Sequence, residues 1–311
     1  LLFCGRWTRQ SRQLTLSLCA FLLAVGLFVV SPRLGTWVVV AYAVVSPLGL
    51  SLRGRTSPLA WTRRLKTLTA TATVLMSVAI IGAVLLGRHS PRVGWVLACV
   101  TVLATPLFID AAAALNAPIE RRLAQPFVDR ASARLRKVNP RIVAVTGSYG
   151  KTSTKHHIAE ILGASSGVVP TPRSFNNRAG LSRAINENLV EGTKVFIAEM
   201  GTYGPGEIAD LCAWCPPEIA VVTAIGPVHL ERMKSLETIE SAKFEITEHA
   251  ATVVVNADDE RLRQWVARLV ADGKKVITAG TTEACNVAVI DSRERWQILR
   301  DGVQVAEVLP V

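Results

Sequence analysis

Four stretches without a charged residue, Gln13–Pro32, Leu34–Leu52, Thr67–Gly87 and Val93–Ile109, dominate the first third of the chain. Their lengths are 20, 19, 21 and 17 residues. A helix needs about 20 apolar residues to cross the hydrocarbon core of a bilayer. Three runs meet that length, and the fourth can continue through Asp110 into Ala111–Leu115. Buried helices of a globular protein can be as apolar, but four in succession with basic residues between them predict four membrane spans. A cleaved signal sequence does not fit, because the hydrophobicity continues past the first run.

Charge is distributed to match. Residues 1–141 carry 18 Lys and Arg against Asp110, Glu120 and Asp129, a net of +15, whereas residues 142–311 carry 17 against 21, a net of −4. These cations flank apolar runs, which points to a membrane and away from nucleic acid. Arg6, Arg9 and Arg12 precede the first run, and Arg53, Arg55, Arg63, Arg64 and Lys66 lie between the second and third. Arg121, Arg122, Arg130, Arg134, Arg136 and Lys137 follow the fourth, while the alternate loops hold only Arg33, and Arg88 with Arg92. Lys and Arg concentrate on the cytoplasmic side, so both ends of this region are expected there, with Asp110 at the interface. Residues 116–140 read as a basic amphipathic connector lying along an anionic leaflet. The expected organisation is a membrane region over 1–115, that connector, and a cytoplasmic domain over 141–311, in an integral membrane protein.

The six cysteines, Cys4, Cys19, Cys99, Cys212, Cys215 and Cys285, suggest no disulfide framework. Cys212-Ala-Trp-Cys215 has redox or zinc spacing but no second ligand pair, so ordinary packed or surface thiols are expected. The chain starts Leu-Leu-Phe and ends Leu-Pro-Val inside a strand-like pattern, which reads as a fragment.

Arg141–Thr146 (RIVAVT) is a short β-branched run, followed by Gly147-Ser-Tyr-Gly-Lys-Thr-Ser-Thr154 and a helical pattern through Leu162. Strand, glycine loop and helix in that order are what a phosphate-binding loop requires. Glycines let backbone N–H groups turn toward an anion, and the helix N-terminus adds its dipole. Lys151 is then expected at the β- and γ-phosphates, and the Thr152 hydroxyl on Mg²⁺. The spacing is a shortened variant, with Val145 where the usual Walker pattern has glycine.

Further β-type runs, Lys194–Glu199, Ile219–Thr223, Thr252–Asn256 and Lys275–Thr278, alternate with helical segments at Arg178–Asn188, Ile239–Ala250 and Asp259–Ala271. That alternation predicts a P-loop-type parallel α/β sheet after the helical membrane region. Ligands bind such sheets outside the carboxyl ends of the strands, where Glu199 is placed to reach a metal. The last runs, Asn286–Ile290, Trp296–Leu299 and Val303–Val308 with a turn at Asp301-Gly302, look antiparallel.

Thr146–Thr154 (TGSYGKTST) resembles the ATP loop of the Mur ligases, whose usual form is TGTNGKTT. Phe175-Asn-Asn177 with Gly180, Glu199-Met-Gly201, Gly204-Pro-Gly-Glu-Ile208, His229-Leu-Glu231, Ala242-Lys-Phe-Glu-Ile246 and Val255-Asn-Ala-Asp-Asp259 follow in the family's order. The resemblance covers residues 140–311 and implies the family's central ATP-binding domain. It implies that Thr146, Gly147, Ser148, Tyr149, Gly150, Lys151, Thr152 and Ser153 bind ATP, with Asn177 near nucleotide and substrate. Thr152, Glu199, His229 and Lys243 would hold a pair of Mg²⁺ ions, Lys243 after reacting with CO₂ to give a carbamate. Lys151, Lys243 and His229 would be the catalytic residues. Residue type alone leaves these roles open: a Glu at a strand end is often salt-bridged, a lone His is often structural, and Lys243 beside Glu240 and Glu245 also suits a solvated helix face.

The implied activity is ATP-dependent amide-bond formation through an acyl phosphate, adding an amino acid or dipeptide to a cell-wall peptidoglycan precursor. Spans stand where the family has a soluble sugar-binding domain, which suggests a lipid-linked acceptor. Ser182 replaces a family proline, Ala224 replaces a family asparagine, and the family's C-terminal domain is not in this sequence. A membrane-bound poly-γ-glutamate synthetase-like ligase and a P-loop ATPase coupled to transport are the alternatives. Against transport, the apolar runs hold almost no polar residues to line a pathway.

Overall fold

The computed structural model describes residues 11–31, 34–35, 37–39, 41, 61–163, 167–291 and 295–309. They divide into two compact units, Leu1–Leu123 and Ala124–Val311.

The first unit is helical: α1 (Ser11–Val30), α2 (Arg63–Gly87), α3 (Pro91–Leu103) and the start of α4 (Thr105–Val138). The first and third apolar runs fall on α1 and α2, whereas Leu34–Leu52 lies for the most part outside the described residues, as do Arg6, Arg9, Arg33, Arg53 and Arg55. The fourth run is broken. Pro91–Val102 and Thr105–Val138 are bent by 64°, at a point where Pro106 restricts the residue before it. Among the described residues, α2 is the one helix that alone is long and apolar enough to cross a membrane; the bent pair meets the criterion together. Most of the residues read as a connector are helical, since α4 runs from Thr105 to Val138.

The second unit is built on one sheet. Its elements, after α4, are β1 (Arg141–Thr146), α5 (Lys151–Gly163), β2 (Val168–Pro170), α6 (Arg178–Asn188), β3 (Val195–Glu199), α7 (Glu207–Cys212) and β4 (Ile219–Val222). Then come α8 (Leu230–Met233), α9 (Leu236–Phe244), a 3₁₀ turn (Glu245–Thr247), β5 (Thr252–Asn256), α10 (Glu260–Ala271), β6 (Lys275–Gly280), β7 (Val287–Asp291), β8 (Trp296–Arg300) and β9 (Val303–Val308). The strand order is β2-β3-β1-β4-β5-β6-β7-β8-β9. All pairs from β2 to β7 are parallel, and β7–β8 and β8–β9 are antiparallel. The tail strands are antiparallel to one another, as expected, and β7 joins them to the parallel sheet through Ala279–Val287 and Gly280–Ala288.

The central strands are apolar along their whole length because both faces are covered, as parallel sheets require. Val143, Val145 and Ile197 pack toward Ile158 and Ala159 of α5. The alternate residues Ala144, Phe196, Ala198, Ala220 and Val222 pack toward Leu181 and Ile185 of α6, its C-cap Leu189, and Ile208 and Leu211 of α7. Cys212 and Cys215 lie in this second core, both fully buried. Burial pushes the Cys212 thiol up to about 12 and raises Cys215 as well, so these are packed, inert thiols.

The expected helix over Ile239–Ala250 instead starts at Leu236, capped by Ser235, and tightens into the 3₁₀ turn after Phe244. Three short elements, β2, α7 and α8, have too few residues to show a period in the sequence.

Candidate active site

β1 has β3 on one side and β4 on the other, so the strand order reverses there. The carboxyl ends of the three strands converge, which is where a doubly wound sheet opens a crevice. Val145 is level with Glu199, and Thr146 with Val222.

The glycine loop leaves β1 at Thr146. Gly147 has φ +153° and Gly150 φ +78°, values that a side chain strains. A Cβ on Gly147 would also stand 1.9 Å from Thr223 Oγ1. The approach is this close because the loop is laced to the segment after β4. Thr223 Oγ1 lies 3.1 Å from the Thr146 carbonyl and 2.6 Å from that of Tyr149. Ser148 N–H donates to the Ala224 carbonyl at 2.7 Å. Ser148 Oγ donates to the Gly226 carbonyl (3.0 Å) and accepts from its N–H (2.9 Å). The motif Val255–Asp259 fixes the other side of that segment. Asn256 Nδ2 donates to the Thr223 carbonyl (3.1 Å), and Asp259 Oδ2 accepts from Ile225 N–H (2.8 Å) while Oδ1 caps α10.

Lys151 folds back over the loop, its Nζ donating to the Gly147 carbonyl at 2.7 Å. Burial lowers its pKa, opposed by the charge of Glu199. One residue on, Thr152 Oγ1 donates to Glu199 Oε2 at 2.9 Å. The same oxygen meets Lys155 Nζ at 3.0 Å, and Glu199 Oε1 accepts from Asn176 Nδ2 at 3.0 Å. Lys155 also donates to the Arg173 carbonyl, and Glu199 N–H donates to Thr171 Oγ1 at 3.1 Å. Lys155 is 0% and Glu199 1% exposed. Charges so deep persist only when paired and hydrogen-bonded.

Gly147, Ser148, Lys151, Asn176, Tyr203, His229 and Lys243 line one cleft. His229 is held in the left-handed region at φ +62°, at the start of α8. Its pKa is lowered by partial desolvation and by the cations Lys243, Arg232 and Lys151, with Glu207 opposing. Lys243, 5% exposed, sits in the last turn of α9. Its amine makes no hydrogen bond or ion pair among the described residues. Burial, then the charge of Lys151, brings it down to about 8. Two residues later Glu245 reaches back to the Gly204–Ile208 motif, accepting from Gly206 N–H (2.6 Å) and Ala209 N–H (3.0 Å). Phe244 stacks on Trp265 of α10 with ring centroids 3.9 Å apart. The two residues after Lys243 are thus clamped, one by Trp265 and one by the Gly204–Ile208 segment.

The structure brings together the loop residues, Glu199, His229 and Lys243, and sets Asn177 apart. Asn177 caps α6, its Oδ1 accepting from Gly180 N–H at 2.9 Å, while Asn176 faces Glu199. Tyr149 and Ser153 are exposed at the loop rim. Lys155, Asn176 and Thr223 were not singled out by sequence reasoning. Lys155 had a signal, since it follows Lys151 by one helical turn and so shares its face.

The oxygens of Thr152 and Glu199 are hard donors of the kind Mg²⁺ takes. Among the described residues no group of three or more His, Cys, Asp and Glu gathers as a metal cage. A second cation beside His229 does not suit Lys243 as an ammonium; it suits an anion at that position.

The Mur ligase middle domain, as a family model, matches residues 145–300, half of the chain. The chain belongs to the Mur ligase family. It is 40% identical over 116 residues to UDP-N-acetylmuramoyl-tripeptide–D-alanyl-D-alanine ligase of Bacillus subtilis (strain 168), covering 37% of this chain and 25% of that protein. The enzyme of that name from Mycobacterium leprae (strain TN) is 39% identical over 121 residues, 38% of this chain and 23% of its own. The chain therefore spans about a quarter of the length of the curated relatives it matches. The MurF ligase of Thermotoga maritima, solved in complex with ADP, superposes with a TM-score of 0.53 at 28% identity, over 60% of this chain and 44% of that one. All three similarities carry the name of the ligase that this chain's motifs most resemble within the family.

Proposed function

We propose that this chain is the nucleotide-binding part of a membrane-anchored, ATP-dependent ligase that forms an amide bond on a peptidoglycan precursor peptide. The observation that carries the reading is a cleft lined by the loop residues Gly147, Ser148 and Lys151 and by the buried, unpaired Lys243, with the hydrogen-bonded pair Thr152 and Glu199 beside the loop.

The chemistry assigns each group a task. An acceptor carboxylate oxygen attacks the γ-phosphorus of ATP, the bond to the ADP oxygen breaks, and an acyl phosphate forms. An amine then attacks the acyl carbon, phosphate leaves, and the amine gives up a proton. Lys151 moves from the loop carbonyls to the phosphate oxygens, where its charge offsets that developing in transfer. The loop N–H groups and the α5 N-terminus hold the phosphates in line. Thr152 and Glu199 would hold Mg²⁺, which would supply further charge neutralisation at the phosphoryl oxygens. Lys243, brought down to about 8, holds more neutral amine near neutral pH than an ordinary lysine; that amine would add CO₂ and release a proton, and the carbamate would supply the anion beside His229. Gly147, Ser148, Tyr149, Gly150 and Ser153 line the nucleotide, and Asn177 acts through the start of α6.

The helical first unit is read as the anchor in the cytoplasmic membrane, with residues 141–311 on the cytoplasmic side and a lipid-linked precursor as acceptor. Its support is the apolar length of α2 and the placement of Lys and Arg. Cysteine labelling of intact cells should reach Arg88–Arg92 from outside and nothing after Glu120; external labelling of the sheet domain would refute this orientation. Equal ligation of soluble and lipid-linked precursor by the whole protein would remove the lipid-linked acceptor.

Lys151→Ala tests the core of the reading. It should abolish measurable ATP binding by the full chain in calorimetry and leave the circular dichroism unchanged. ATP affinity equal to wild type would show that the loop is not a nucleotide site.

A further inference from the structure

The cleft mouth carries a cation that none of the family's quoted motifs includes. Arg232 lies on α8 just past His229-Leu-Glu231, with Cζ 5.2 Å from the centroid of the Tyr203 ring. The same ring meets His229 edge-on, centroids 4.6 Å apart at 60°. Tyr203 and His229 both line the cleft, so this chain of contacts fixes Arg232 at its edge. The backbone beneath is constrained too. α8 is bounded by two left-handed residues, His229 at φ +62° and Lys234 at φ +68°, and Met233 anchors it at 2% exposure.

A guanidinium lying over an aromatic ring satisfies its face and leaves its N–H edge free. The side chain of Arg232 makes no hydrogen bond or ion pair among the described residues. The Glu207 carboxylate, the nearest acid along the Tyr203 segment, is already taken by Tyr203 N–H at 2.7 Å and Thr202 Oγ1 at 3.4 Å. Arg232 adjoins the His229 side of the cleft, while Lys151 closes over the loop on the other. A planar N–H fork without a partner matches the two oxygens of a carboxylate.

We infer that Arg232, held over Tyr203, binds the carboxylate of the acceptor peptide and selects acceptors that present one. This rests on the ligase reading above: the group that meets the γ-phosphate must enter from the side away from the loop.

The test uses the full chain in detergent micelles, with UDP-N-acetylmuramoyl-tripeptide and a non-hydrolysable ATP analogue as probes. Arg232→Gln should weaken tripeptide binding by roughly tenfold or more, the range for a hydrogen-bonded charge pair, and leave the ATP analogue's affinity unchanged. Tyr203→Leu should give a smaller loss in the same direction. Tripeptide whose terminal carboxylate is converted to an amide should bind wild type and Arg232→Gln alike. Equal tripeptide affinity in wild type and Arg232→Gln, including no measurable affinity in either, overturns the inference. Weakening confined to the ATP analogue puts the guanidinium on the terminal phosphate and overturns the carboxylate assignment. Undiminished ATP-analogue binding by Lys151→Ala would instead overturn the functional reading beneath it. Arg232 is exposed, so none of these outcomes is confused with loss of the fold.

Discussion

Lys155 Nζ stands 3.0 Å from Glu199 Oε2, and solvent reaches neither side chain. Thr152 shares that oxygen and Asn176 holds the other, so the carboxylate is oriented by three donors, two from α5 and one from the segment before α6. A lysine normally keeps its charge in water, and one wholly enclosed is retained for what it touches.

The pair makes a stability prediction. Lys155→Met leaves an uncompensated carboxylate in the interior and should cost about 3–5 kcal/mol. Lys155→Met with Glu199→Gln should cost clearly less than the two single losses combined, because the charges are removed together. Urea unfolding of the four proteins measures this. Additive losses would mean that the pair is not coupled.

Lys243 predicts a dependence on pH. Its amine falls from 10.5 to about 8 in the folded protein, chiefly through burial and then through Lys151. Between those values the unfolded chain binds more protons than the folded one, so folding stability rises with pH across that window. Below it the buried ammonium carries its full cost. In CO₂-free buffer at neutral pH, Lys243→Met should therefore be more stable than wild type, with the difference vanishing as pH passes 10.5. With ¹³C-bicarbonate, wild type should show a carbamate carbon resonance that Lys243→Met and Lys243→Arg lack. No such signal in wild type at pH 8, where about half of the amine is neutral, would remove the carbamate.

Gly147 predicts a local failure of the loop. An alanine there meets Thr223 Oγ1 at 1.9 Å and is strained at φ +153°, so Gly147→Ala should lower ATP affinity by roughly tenfold or more, as ~1.4 kcal/mol of displacement would. Gly192→Ala is the control. At φ +87° with nothing within 4 Å, it should cost about 1 kcal/mol of stability and leave ATP binding as it was. Equal effects of both on ATP affinity would show that the loop tolerates a side chain.

Much of the sheet was legible in the residues. RIVAVT, KVFIAE, IAVVT and TVVVN lie on β1, β3, β4 and β5, because strands buried on both faces must be apolar throughout. Arg178–Asn188 is helical over the same residues. What was hidden has physical causes. β2 is three residues long and takes its definition from its neighbour β3. The 3₁₀ turn after Phe244 follows from Glu245 being drawn to Gly206 and Ala209, a contact 36 to 39 residues away in sequence. At the site, Asn176 and Asn177 are alike by type, and only the backbone path decides that one caps a helix while the other faces Glu199. Lys155, one turn after Lys151, is turned inward by α5 and buried against Glu199.

The double hydrogen bond between Ser148 Oγ and the backbone of Gly226 bears on how this domain can be exchanged with those of its relatives. The loop and the segment 223–226 are two halves of one interlocked part, 78 positions apart in the chain. Transplanting the nine residues Thr146–Thr154 alone would carry a plug without its socket. A chimera that moves both segments, with Asn256 and Asp259 to brace them, transfers the working unit intact.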